Sequence, residues 1–265
     1  MYINGNKLNV RRFSSGELKF LKSELDKFIV NNRVEILYVN EYSFFELMLV
    51  IKYYCGKDVL VDLVMGYLPY QRMDHKNRDE LDTVNYVANI INELKLDSLT
   101  ICEPHCKIDC FNDCKSFSYI GSMKNFVFKD VNFDENKDIV VLADKGGVER
   151  YKNIFNKVIY FNKVRDEDSG LIIKHEIVGG FNVCGKVVIV DDIISTGDTI
   201  VNIIEELINH NVKEIYIMSG HFENNKYNKR IFEYNEVRKV YSTNSLKKKG
   251  SKKLKLFDVK NLYKV

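Results

Sequence analysis

Residues Lys186–Thr199 read KVVIVDDIISTGDT and run on into IVNIIEELI at Ile200–Ile208. Val187–Val190 are four successive apolar β-branched residues, the composition of a central parallel strand buried on both faces, which predicts a strand over 186–190. Asp191 and Asp192 then fall at its carboxyl end, where open α/β sheets bind ligands. Ser195, Thr196 and Gly197 follow with hydroxyls and backbone amides, and the 3.6-residue apolar period of 199–208 predicts a helix whose start favours anions. Adjacent carboxylates can accept hydrogen bonds from a vicinal diol. The segment thus reads as a sugar grip at Asp191 and Asp192 and a phosphate cradle at Ser195, Thr196, Gly197, Asp198 and Thr199. The plainer alternative makes the two acids loop caps and Ser195 and Thr196 ordinary helix N-caps.

Outward from this segment, short β-branched runs alternate with amphipathic stretches, which predicts an α/β fold with helices on both faces of a mainly parallel sheet. Strands are expected over 34–39, 59–65, 99–102, 138–143, 157–161 and 214–218, and helices over 44–54, 81–94 and 148–155. Two similar halves fit 265 residues. Lys, Asn and Asp interrupt the apolar pattern over 122–135, so the division is placed there, giving domains 1–128 and 129–265. The polar run from Lys163 to Gly170 reads as an exposed, mobile loop.

Charge narrows the partners. Forty Lys and Arg stand against 37 Asp and Glu, a net charge of +3, which gives no argument for nucleic acid and suits a small anionic ligand equally well. The lysines clustered around Gly250 lack interleaved aromatics and read as a solvated connection. The opening MYINGNK has no apolar run behind a basic start and nothing later reads as a membrane span, so a cytoplasmic protein with reduced thiols is expected. Cys102, Cys106, Cys110 and Cys114, with His105 among them, would form one stripe on a helix and could hold zinc; the wide spacing instead favours reduced, partly buried cysteines.

At Asp191–Thr199 the chain resembles the phosphoribosyl-diphosphate loop of type I phosphoribosyltransferases and of ribose-phosphate pyrophosphokinases. Collinear segments favour the second family: RRFSSGE at Arg11–Glu17, GYLPYQRMDH at Gly66–His75, ICEPHC at Ile101–Cys106, VVLADKGGVER at Val140–Arg150, FNKVRDED at Phe161–Asp168 and MSGHF at Met218–Phe222. The resemblance implies two similar type I phosphoribosyltransferase-like domains, ATP as co-substrate, Mg²⁺, and transfer of a diphosphoryl group to the anomeric hydroxyl of a ribose phosphate with release of AMP. It implies ATP contacts from Phe13, Ser15, Glu17, Arg72, Asp74 and His75, with the first three reaching in from a neighbouring subunit of a homo-oligomer. It places His105 beside the ATP phosphates, Asp144 near sugar and metal, His105 and Asp144 as the metal-facing residues, and Lys163 and Arg165 as cations that stabilise charge on the transferred group. Gly146 and Gly147 would let the backbone approach the ligand.

Two positions depart from the family pattern. Ser15 stands where an Asp is usual in the adenine loop, which leaves Glu17 as the acceptor for the adenine amino group. Asp198 stands where the phosphate loop usually has Gly, and two anions only ~4 Å apart repel unless a cation intervenes. That favours a 5′-substituted ribose such as ADP-ribose, used by phage-encoded relatives, over ribose 5-phosphate; Asp198 can equally be a helix N-terminal acid turned from the ligand. The family's outer elements look abbreviated, which leaves its usual hexamer and allosteric phosphate site open. Two rival readings share parts of this pattern: a phosphoribosyltransferase consuming phosphoribosyl diphosphate, and a non-catalytic nucleotide-binding regulator.

Overall fold

The computed structural model describes residues 1–39, 43–74, 80–165, 172–179, 185–247 and 249–263, with the backbone alone for 163–165 and 172–176. The chain forms two compact units, Met1–Phe117 and Ser118–Val265. Both are α/β.

The first unit begins with a hairpin, β1 (Tyr2–Ile3) and β2 (Asn6–Lys7). Its two-residue turn is Asn4–Gly5, with φ of 47° and 73°, the left-handed pair that a right-twisted hairpin demands. A second small hairpin pairs β3 (Arg11–Arg12) with β4 (Leu18–Lys19). After α1 (Lys22–Asp26) come β5 (Arg33–Tyr38), α2 (Phe44–Cys55), β6 (Leu60–Met65), α3 (Thr83–Asn92), β7 (Ser98–Cys102) and β8 (Cys114–Phe117). The sheet order is β2-β1-β5-β6-β7-β8, parallel from β5 to β8 and antiparallel at the β1 edge. Ser43 starts α2 through a capping box: its hydroxyl accepts from the Glu46 N–H, and Glu46 accepts from the Ser43 N–H. Val34, Ile36, Val61, Leu63, Leu99 and Ile101 supply the sheet side of a core closed by Leu47, Val50 and Ile51 of α2 and Val84, Val87, Ala88 and Ile91 of α3.

The second unit opens with α4 (Tyr119–Asp130), where the sequence reading expects a linker. Asn125 and Lys129 face solvent and the half-buried Lys124 donates to the Ile154 carbonyl at 2.6 Å, while Tyr119, Ile120, Met123 and Val127 form a buried stripe at helical spacing. Asp130 ends the helix as an acceptor for Tyr241 Oη at 2.6 Å and Lys239 Nζ at 2.7 Å. The whole helix therefore falls in the second unit, and a division at 128/129 would cut through its last turn. Then follow β9 (Ile139–Leu142), α5 (Lys145–Tyr151), β10 (Val158–Arg165), β11 (Ile172–Val178), β12 (Val187–Ile194), α6 (Asp198–Asn209), β13 (Ile215–Phe222), a 3₁₀ turn at Tyr227–Glu233, β14 (Val237–Thr243), β15 (Leu254–Phe257) and α7 (Val259–Tyr263). The order is β11-β10-β9-β12-β13-β14-β15, parallel except for β11, which returns antiparallel on β10. β12 is central, and its Val187–Val190 are fully buried between the faces. Ile200, Val201, Ile203, Ile204 and Leu207 bury one side of α6 against it.

Among the described residues no helix is long and apolar enough to cross a membrane.

Candidate active site

In the second unit, parallel register fixes which residues meet. β12 pairs with β9 through Val190↔Leu142, so Asp144, just past the end of β9, shares the sheet's carboxyl edge with Asp191. The strand does not stop at Val190 as the apolar run predicts; it continues through both acids to Ile194, because Asp191 and Ile193 still find partners in Ser219 and His221 of β13.

The two acids differ in environment. Asp192 is buried, and its carboxylate lies 3.3 Å from the Arg150 guanidinium, which reaches over from α5. Among the described residues Asp191 has no such cation. Its carboxyl is pushed well above the usual carboxylate range, first by burial and then by the neighbouring charges of Asp192 and Asp144. Asp144 caps α5, accepting from the Gly147 N–H at 3.0 Å. Glycine is needed nearby for space, since a Cβ on Gly146 would stand 3.2 Å from Asp144 Oδ1.

The turn after β12 is braced from behind by residues 223–230. Ser195 Oγ donates to Glu223 at 2.5 Å, and the buried Asn228 side chain donates to the carbonyls of Ser195 and Glu223 at 3.1 and 2.9 Å. The helix N-cap is Gly197, at φ 86°, rather than Ser195 or Thr196. Asp198 is the first residue of α6, and its carboxylate accepts from Thr196 Oγ1 and from the Arg230 guanidinium. The Thr196 hydroxyl and then Arg230 hold its pKa below the ordinary value, so it is charged at neutral pH. Thr199 stands half-buried in the helix's first turn.

Lys163 and Arg165 belong to a strand, not a loop. The backbone of β10 carries both, pairing Lys163 with His175 and Arg165 with Ile172 of β11. The remaining loop residues 166–170 lie outside the described residues. The polarity of this stretch hid the strand, because an edge hairpin needs no buried apolar side chains to keep its ladder. MSGHF is interior structure: His221 is fully buried, its Nδ1 2.8 Å from Ser245 Oγ and its ring edge-on to Tyr119.

In the first unit, Phe13, Ser15 and Glu17 form the tip of the β3–β4 hairpin. The Phe13 N–H donates to the Glu17 carbonyl at 2.9 Å, Ser15 Oγ donates to the Glu17 carboxylate at 2.8 Å, and Gly16 turns at φ 91°. Phe13 is 52% exposed, a large apolar ring offered at a polar tip. The segment after β6 leads through Tyr70, at φ 62°, to an exposed Arg72 and a half-buried Asp74; His75 lies outside the described residues. After β7 the chain passes through Glu103, at φ 45°, to a half-buried His105. A cavity of about 430 Å³ opens here, lined by Asp74, Asp82, Asn85, Cys106, Lys107 and Cys110.

The four spaced cysteines do not share a helix. Cys102 ends β7, Cys106 and Cys110 lie in the connection and Cys114 begins β8. Burial raises the thiols of Cys110 and Cys114, the latter to about 11, which disfavours the thiolate. Among the described residues no group of three or more His, Cys, Asp or Glu is arranged to hold a metal.

A buried parallel strand carrying two acids in its carboxyl half, a left-handed glycine turn and a helix start define a phosphoribosyltransferase-type α/β domain, and residues 118–246 match the phosphoribosyl transferase domain family. The ribose-phosphate pyrophosphokinase of Sulfurisphaera tokodaii is 28% identical over 79% of this chain and 74% of its own length. That of Mycoplasma genitalium is 26% identical over 98% and 81%, and that of Bacillus subtilis 26% over 95% and 81%. The crystal structure of phosphoribosylpyrophosphate synthetase from Mycobacterium smegmatis superposes with a TM-score of 0.75 over 96% of this chain and 87% of that one, at 18% identity, and so shares the fold. The chain is thus similar to ribose-phosphate pyrophosphokinases over most of its length.

Four residues around the site escape sequence reading: Arg150, Glu223, Asn228 and Arg230. Arg150 closes the VVLADKGGVER segment and was the one within reach. The others lie about thirty residues past their partners in the chain: Glu223 follows the end of β13, and only an irregular 3₁₀ turn places Asn228 and Arg230.

Proposed function

We propose that the chain transfers the β,γ-diphosphoryl group of ATP to the anomeric hydroxyl of a ribose 5-phosphate moiety, releasing AMP. The observation that carries this reading is the convergence of Asp191, Asp192 and Asp144 on one sheet edge, directly before a glycine turn and helix start. Asp191 and Asp192 accept the sugar's vicinal hydroxyls, and Ser195, Thr196, Gly197, Asp198 and Thr199 surround its phosphate. Arg72, Asp74, His75 and His105 face the nucleotide, with Phe13, Ser15 and Glu17 reaching the adenine of a neighbouring copy. Lys163 and Arg165 neutralise charge on the transferred group.

Hard carboxylate oxygens at the β9/β12 edge suit Mg²⁺, an ion that keeps waters and phosphate oxygens in its shell and so needs few protein ligands. Asp144 and His105 are the residues assigned to hold it. When bound, it would neutralise phosphate charge during transfer.

Arg230 bears on the choice of sugar. Asp198 alone disfavours a dianionic monoester, but the paired guanidinium offsets its charge and is positioned to meet a second anion. The pair supports ribose 5-phosphate as an acceptor beside ADP-ribose. Incubation with ATP, Mg²⁺ and either sugar, followed by mass spectrometry of products, tests the reading: AMP and a sugar diphosphate must appear together. Nucleotide binding without AMP from any sugar favours the regulator, and ATP-independent use of phosphoribosyl diphosphate the transferase. Arg230→Ala is expected to raise KM for ribose 5-phosphate by roughly tenfold and that for ADP-ribose less, because the diester carries less charge on each phosphate. Equal effects on both would remove Arg230 from sugar selection. Light scattering is expected to give a dimer or larger species, and an active monomer would exclude a hairpin acting across subunits.

A further inference from the structure

Gln71 is fully buried, a rare place for a side-chain amide. Its Oε1 accepts from the His105 N–H at 2.9 Å, joining the segment after β6 to the segment after β7. Its Nε2 is closed off from solvent with no hydrogen-bond partner among the described residues. A buried amide with an unmade donor is costly, and an apolar side chain of similar length would fill the space without that cost. The residue is therefore not explained by packing.

The backbone around it is equally constrained. Tyr70, immediately before Gln71, and Glu103, two residues before His105, are both held at positive φ. The Glu103 N–H donates to the Phe117 carbonyl at 2.7 Å, so the His105 segment is pinned at Glu103 by β8 and at His105 by Gln71. We propose that Gln71 is a positioning residue that fixes the His105 segment and, through the next peptide, Arg72. This rests on the reading of His105 and Arg72 as nucleotide-facing. Gln71 itself stays sealed beneath them.

The test uses the full-length protein and Gln71→Met, which matches the length of the side chain but lacks the acceptor. Thermal stability is expected to stay within a few degrees, since the unmade donor disappears along with the bond to His105. Hydrogen exchange by mass spectrometry is expected to quicken about tenfold at residues 103–106 and nowhere else in the first unit. With ATP, Mg²⁺ and the accepted sugar, kcat is expected to fall at least about tenfold while KM for ATP changes less than about threefold, the signature of a misplaced group. Gln71→Glu, whose buried carboxyl stays protonated and keeps a carbonyl acceptor, is expected to restore most of both. Unchanged exchange at 103–106 overturns the proposal whether or not the protein turns over. Wild-type kcat in Gln71→Met overturns it too, whereas no AMP from the wild type overturns only the functional reading.

Discussion

Asp191→Asn is expected to make the protein more stable and at least about 100-fold less active, a loss of roughly 2.7 kcal/mol of transition-state stabilisation. The two effects share one cause. Asp191 is half-buried beside Asp192 and Asp144, and desolvation first, then those neighbouring charges, push its carboxyl pKa well above the ordinary value of 3.8. A carboxyl whose folded pKa exceeds its unfolded one contributes most below the unfolded pKa, and that contribution is lost as pH rises through the folded pKa. In metal-free buffer the gain from Asn should therefore be absent near pH 3.8 and grow as pH rises toward neutrality. For a domain of this size each kcal/mol corresponds to about 2–4 °C in Tm. The activity falls because an amide offers one acceptor oxygen and two unwanted donors to a sugar diol that needs acceptors. A variant with lower Tm than wild type at neutral pH would show that Asp191 is a satisfied structural acid. Asp192→Asn should behave differently, since its charge is matched by Arg150 and removing it leaves that guanidinium partly uncompensated.

The same contrast explains what the sequence disclosed. Strand, acid pair, hydroxyl-glycine turn and helix lie within 23 consecutive residues, Lys186–Ile208, so their order alone predicts that they meet. Both halves were legible for a similar reason: β9, β12 and β13 each carry an unbroken apolar run suited to a sheet covered on both faces, and β5, β6 and β7 are apolar runs broken once each, by Glu35, Asp62 and Thr100. α4 was not, because its polar face supplied the Lys and Asn that read as a linker while Ile120, Met123 and Val127 were too sparse to stand out. β11, β14 and β15 lie toward the sheet margins, where alternating charges are tolerated and the apolar signal fades. Asn4–Gly5 is a two-residue hairpin signal, but the strands it joins are only two residues long and carry no apolar run to mark them.

Polar partnerships set the harder limit. Asp198 reads from sequence as either a repelling anion or a helix-start acid, and the choice depends on Arg230, which stands 32 residues later on an irregular turn. Gln71 has no chemistry that marks it within GYLPYQRMDH, and only its burial against His105 distinguishes it. Periodicity reports which side chains avoid water; it carries no record of which donor finds which acceptor.

Gly197→Ala is expected to lower kcat/KM for the sugar substrate by about 100-fold and to cost about 1–2 kcal/mol of stability from backbone strain alone. Gly197 sits at φ 86°, outside the range that side chains readily adopt. A Cβ there would stand 3.0 Å from Ile231 Cδ1, 3.3 Å from Ile231 Cγ1 and 3.4 Å from Asn228 Cα. Ile231 is fully buried in the core of the second unit, so the nearest atoms have little room to retreat, and the strain would be relieved by moving the turn instead. That motion displaces the first amides of α6 and loosens Asn228 from the Ser195 carbonyl, which together set the proposed phosphate cradle. The loss should fall on sugar binding, with KM for ATP nearly unchanged, because the residues proposed to face the nucleotide belong to the first unit. Ile231→Val, which removes one methyl from the crowded contact, should recover part of the loss when combined with Gly197→Ala. If the double variant is no better than the single one, the left-handed φ rather than the contact with Ile231 is what demands glycine, and only the close-approach half of the argument fails.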